Sequence, residues 1–255
     1  MFLDREKAVR AFNEYVEKYN SKDGKIKLKI EHTFRVTSIC EEIARKLRMS
    51  DKDIDLAFIM GLLHDIGRFE QIKRYGTFDD SKSIDHAALA VEILFAEGKI
   101  RDFVEGDDED ELIMQAIKCH SAFAIPDNYS EREKAFSHLL RDADKIDIFK
   151  VSYEERPEDA FGVTHKQLIT SEISNGVMAT IKNHETVLSS IRSTPLDNIV
   201  SRMALVFGIY YRESLDITEK QGYLSKLMEF KSENEETKNK IEEIKDIVRD
   251  YLKKE

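Results

Sequence analysis

Apolar residues recur at helical spacing along most of the chain. From about Ile30 to Met49, the residues Val36, Ile39, Cys40, Ile43 and Leu47 fall on one stripe, which predicts a helix with one buried face. His32 projects from the same stripe. Between Asp53 and Asp65 the run from Leu56 to Leu63 is apolar on nearly all sides, the pattern of a central helix. Gly67 is expected to end it, which would put His64 and Asp65 in its last turn. Ser83 is a candidate cap for a helix running to Phe95, with His86, Ala90 and Leu94 on one face. Residues 111–121 predict another, with Ile113, Ala116, Ile117 and His120 aligned. From Glu131 to Phe149, Phe136, Leu140, Ala143, Asp144 and Asp147 share a face. An earlier helix over residues 4–20 should stop at the turn signal Asn20-Ser21-Lys22-Asp23-Gly24.

Beyond residue 150 the pattern stays helical. Residues Asn198 to Glu213 read as an apolar helix from which Arg202 and Tyr210 could reach a pocket. From Asn234 on, Ile241, Ile244, Val248, Tyr251 and Leu252 form an apolar edge, expected to dock on the body or on a second subunit as a homodimer. No repeat or low-complexity linker interrupts the chain, so residues 1–255 are read as a single domain, with 151–255 a helical extension packed on what precedes it.

Composition narrows the class to all-α. Ten glycines, three prolines and 35% charged residues suit long solvated helices with few tight turns. A chain of 255 residues can bury a large core without disulfides. The net charge of -10 disfavours extended nucleic acid as a partner. Cys40 and Cys119 sit among apolar neighbours, as reduced buried thiols do. The first residues are charged and no run approaches ~18 apolar residues, so the expectation is a cytoplasmic protein with no membrane partner.

The polar residues on those apolar faces carry the chemistry. One histidine on an apolar stripe is usually a satisfied core residue. Here His32, His64, Asp65, His86, His120 and Asp144 all point inward from successive helices, and a buried carboxylate needs a cation. Imidazole and carboxylate suit Mn²⁺, Fe²⁺, Co²⁺, Ni²⁺ or Zn²⁺, and the lack of thiolates argues against structural zinc. Six donors exceed what one catalytic ion takes, so two ions sharing Asp65 would use them all.

The pattern His32, His64-Asp65 and Asp144, with Leu62-Leu63-His64-Asp65-Ile66-Gly67 at its centre, resembles the signature of the HD-domain superfamily of metal-dependent phosphohydrolases over roughly residues 28–150. The resemblance implies an all-α HD core carrying additional C-terminal helices. It implies one divalent ion on His32, His64, Asp65 and Asp144, and a second on Asp65, His86 and His120, with iron or manganese first and cobalt, nickel, zinc or magnesium after them. It selects Asp144 over Asp142, leaving Asp142 and Asp147 to orient ligand imidazoles. A hydroxide held between the ions would attack phosphorus in line. His64, Asp65, Arg68 and Lys145 are the expected catalytic residues. Arg68 is the candidate phosphate fork, with Lys73 and Arg74 closing from a polar loop over residues 67–82. The expected substrate is a small phosphorylated molecule, nucleotide-like or a related metabolite. A di-iron oxygenase of the same superfamily and a non-catalytic regulatory HD protein are the alternatives. His138, His165 and His184 are read as ordinary surface or locally bonded histidines.

Overall fold

The computed structural model describes residues 3–20, 22–158 and 162–253. Among them every regular element is helical and none is a strand, so the protein is all-α. The chain divides into two compact units, Met1–Asp144 and Lys145–Glu255, with helix α8 running across the boundary.

In the first unit the helices are α1 (Arg5–Val16), α2 (Gly24–Lys46), α3 (Asp51–Leu63), α4 (Ile66–Tyr75), α5 (His86–Val91), α6 (Ile100–Phe103), α7 (Asp110–Cys119) and α8 (Glu131–Glu154). Side-chain caps start several of them: the Asp23 carboxylate accepts from Lys25 N in α2, and the Ser50 hydroxyl from Asp53 N in α3. α3 is the central helix, with Leu56 through Leu63 all buried. It lies along α2 at a distance only glycine allows, because a Cβ on Gly61 would sit 2.8 Å from Thr37 Cα. Cys40 and Cys119 are both free and buried.

The region after α3 differs from the sequence expectation. α3 stops at Leu63, His64 and Asp65 form the turn, and residues expected as a polar loop form α4 with Phe69, Gln71 and Ile72 buried. Gly67 does not end a helix; it lies in the first turn of the next. A Cβ there would stand 2.3 Å from His86 O and 2.7 Å from Ala90 N, so the glycine lets α4 press against α5. α5 is capped by Asp85 rather than Ser83, and passes into a π turn over Glu92–Ala96.

The second unit comprises the end of α8 and helices α9 (His165–Thr170), α10 (Asn175–Lys182), α11 (Pro195–Met203), α12 (Arg212–Gln221), α13 (Tyr223–Met228) and α14 (Glu235–Leu252). The helix expected over residues 198–213 is broken: α11 gives way to a tighter turn at Ala204–Gly208 and α12 begins anew at Arg212. The apolar edge of α14, with Ile241, Ile244, Val248 and Leu252 buried, packs on α10 and α13 of its own unit. No helix among the described residues is long and apolar enough to cross a membrane.

Candidate metal centre

Five elements of the first unit each present a polar side chain inward. α2 supplies His32, the α3–α4 turn supplies His64 and Asp65, and α5 opens on His86. His120 directly follows α7, and α8 carries Asp144. His32, His64, Asp65, His86 and His120 are buried, with 5% exposure or less.

The six side chains meet. His32 Nε2 is 3.3 Å from His64 Nε2 and 3.2 Å from Asp144 Oδ1. His86 Nε2 and His120 Nε2 are 3.0 Å apart. Asp65 lies between the two pairs and faces each with a different oxygen. Its Oδ2 is 3.5 Å from both His32 Nε2 and His64 Nε2, while its Oδ1 is 3.5 Å from His86 Nε2 and 3.7 Å from His120 Nε2. Two groups in this cluster have metal-holding geometry, His32 with His64 and Asp144, and His64 with Asp65 and His120.

Proton placement tests whether a cation fits. The His64 and His120 Nδ1 atoms donate to the carbonyls of Gly61 and Ile117, at 2.8 and 2.7 Å. A carbonyl only accepts, so each Nδ1 carries a proton, and in the neutral form of the ring it is Nε2 that is left bare. His86 Nδ1 is fixed in the same way by Asp80 Oδ2 at 2.6 Å. The bare lone pairs of His86 and His120 thus confront each other across 3.0 Å. A cation accepting both lone pairs removes that conflict, and imidazole and carboxylate are donors for a divalent transition ion.

Charge states agree with this. Burial pushes the His64 imidazole down to about 4 and lowers His86 as well, so both rings are neutral at pH 7. Burial would raise the Asp65 carboxyl, yet the Lys29 ammonium holds it well below the usual range. Asp144 is likewise lowered against burial, by His32 and its neighbours.

Around this cluster lies a set of contacts that periodicity did not reveal. Asp80 accepts from His86 and, at 2.7 Å through its other oxygen, from Arg68 Nη1; burial opposes its ionisation, but these partners bring it to about 2. Gln71 joins Asp80, Ser83 and the Ile84 carbonyl. Lys29 donates to Asp65 Oδ2 at 2.6 Å. The one available signal for Lys29 was its place three residues before His32. A third acidic group, Asp80 with Asp85 and His86, is accounted for by structure, since Asp85 caps α5.

Arg68, the expected phosphate fork, has its Nη1 engaged by Gln71, the Phe78 carbonyl and Asp80, each at 2.7 Å. Lys73 and Arg74 both turn to Glu70. Lys145 belongs to the second unit, where it donates to the Gly208 carbonyl. Asp142 and Asp147 are buried. His138 is half-buried on α8 and His165 is exposed, while His184 packs against Phe207 and Tyr251. Tyr210 is largely exposed.

A helical bundle that gathers histidines and aspartates from successive helices around one carboxylate defines a metal-binding all-α domain. Residues 30–151 match the family model of the HD domain. HD domains typically bind divalent metals, and their superfamily includes metal-dependent phosphohydrolases. No curated protein and no solved structure matches the chain.

Proposed function

We propose that the HD domain is a metal-dependent phosphohydrolase that uses two divalent ions to cleave a small phosphate ester. The observation that carries this reading is the placement of Asp65, whose two oxygens face two separate pairs of imidazoles. His32, His64 and Asp144 would hold one ion with Asp65, and His86 and His120 the other. Bound there, the ions would activate water for attack and offer positive charge to the phosphoryl oxygens.

The protein's own contribution is orientation and exclusion of water. Carbonyls of α3 and α7 lock the His64 and His120 rings, and Asp80 locks His86, so three imidazoles present Nε2 without rotating. Burial keeps the His64 and His86 rings neutral and available at pH 7. A nucleotide or related metabolite is the substrate class to examine first. A net charge of -10 opposes a long polyanion more than a single phosphate ester.

The test is elemental analysis of anaerobically purified protein, with phosphate release measured on a panel of monoesters, diesters and pyrophosphates under Mn²⁺, Fe²⁺, Co²⁺ and Ni²⁺. About two equivalents of metal and hydrolysis lost in Asp65→Ala support the reading. Metal binding with no ester cleaved under any ion would overturn it, and substrate-dependent oxygen uptake would replace it by an oxygenase.

A further inference from the structure

Residues one helical turn apart share a face, so Lys29 leaves α2 on the side that carries His32. Its ammonium lies 2.6 Å from Asp65 Oδ2 and 5.5 Å from the centre of the Phe78 ring, with 18% of the side chain exposed. An ammonium has three N–H donors. Among the described residues, Asp65 takes one of them and no second acceptor from the protein meets the others. A largely buried cation with unclaimed donors, beside the carboxylate at the centre of the site, is placed to receive a ligand's oxygens.

Arg68 approaches the same carboxylate from the other side and is bound differently. Its Nη1 is spent on three protein acceptors, and its buried Nε has no hydrogen-bond partner, lying 3.6 Å from Asp65 Oδ1. Through Asp80 it bears on the orientation of His86. Arg68 is tied to three protein acceptors through Nη1, whereas Lys29 donates to Asp65 alone among the described residues.

We infer that Lys29, rather than Arg68, binds the phosphoryl oxygens of the substrate, and that Arg68 is a positioning residue acting through Asp80 on His86. This rests on the phosphohydrolase reading for its substrate, though the anion subsite can be tested without turnover. Two ammonium protons go to phosphate oxygens while the third stays on Asp65, which ties the phosphoryl group to the carboxylate shared by the two imidazole pairs.

The experiment is calorimetric titration of inorganic phosphate into Mn²⁺-loaded protein, with Mn²⁺ affinity measured separately for each variant. Lys29→Met is expected to weaken phosphate binding by about 10- to 100-fold, the worth of charge-assisted hydrogen bonds, without weakening Mn²⁺ binding. Lys29→Arg keeps the charge and retains most of the phosphate affinity. Arg68→Gln does the opposite of Lys29→Met, lowering Mn²⁺ affinity through His86 and leaving phosphate affinity of the loaded protein unchanged. The inference is overturned if Lys29→Met binds phosphate as the wild type does. It is equally overturned if that variant loses Mn²⁺ and phosphate together, or if the wild type binds no phosphate. Phosphate binding that depends on Lys29 in a protein that cleaves no ester would sink the hydrolase reading and keep the subsite. Hydrolysis unaffected by Lys29→Met would do the reverse.

Discussion

Asp65 in the first unit and Asp197 in the second are both sealed from water, at 2% and 0% exposure, and both are held ionised. Their partners differ in kind. Asp197 accepts backbone N–H groups of Ser174, Ser193 and Thr194 at 3.0, 2.9 and 3.0 Å, closing the first turn of α11. Asp65 is met by four imidazoles and the Lys29 ammonium, all of them side chains that can exchange a proton, a ligand or a rotamer. A carboxylate fixed by backbone amides does structural work, since those donors cannot leave without unfolding the turn. One ringed by bare ring nitrogens is built to share its charge with something that binds. Burial alone therefore does not distinguish the two; the identity of the donors does.

The contrast is broken or sharpened most strongly by removing each carboxylate. Asp65→Ala is expected to abolish stoichiometric metal binding and lower phosphate-ester hydrolysis by about a thousandfold or more, read by elemental analysis and steady-state kinetics. Retention of two equivalents of metal would show that Asp65 joins nothing.

Titration gives the next largest effect. His64 is depressed from its ordinary 6.5 to about 4, so between these values the unfolded chain takes up a proton that the folded chain refuses. The stability due to its neutral ring is complete above about pH 6.5 and drains away as pH falls toward 4, by about 3 kcal/mol in total. His86, also lowered, runs in the same direction. Asp197 works in a lower window, present above its ordinary 3.8 and lost only as pH falls below that. Urea unfolding with chelator present, at steps from pH 7.5 to 4, checks this; a flat profile would mean that His64 is not buried as a neutral base.

Asp197→Ala should destabilise the protein by about 3 kcal/mol, because it strips the acceptor from three backbone amides, while metal content stays that of the wild type. Denaturant melts beside elemental analysis separate the two quantities, and loss of metal here would erase the distinction between the aspartates. The smallest expected change comes from Asp80→Ala, which frees the His86 ring and should weaken metal affinity by about 10- to 100-fold with little effect on stability. Unchanged affinity would show that α5 alone orients His86.

The elements were legible wherever one local signal decided them. Periodicity marked α2, α3, α7, α8 and α14, since each buries one continuous apolar face or is buried all round. It misread residues 66–75, because beyond Gly67 α4 hides just Phe69, Gln71 and Ile72 beneath a polar surface, and a polar run with a glycine near its start looks like a loop. Gly67 was read as a stop signal, yet its reason lies across space in the backbone of α5. Asn198 to Glu213 looked continuous because the break at Ala204–Gly208 contains no proline and stays apolar.

The candidate site was legible as a set of residues and opaque as an arrangement. His32, His64, Asp65, His86, His120 and Asp144 each stood out because a titratable group on an apolar stripe is expensive, a cost visible one helix at a time. Lys29 and Asp80 did not, because a lysine and an aspartate on partly polar faces are ordinary until their partners are known. The sequence by itself determined the helical class, the inward-facing histidines and aspartates, and the HD signature, all of which follow from the spacing of residues within a single element. Only the tertiary structure decided that Asp65 turns one oxygen to each imidazole pair, that Arg68 is locked by Asp80, and that Lys29 reaches the shared carboxylate. Those facts depend on distances between helices, and side-chain spacing along one helix carries no information about which atoms of another will stand within 3 or 4 Å of it.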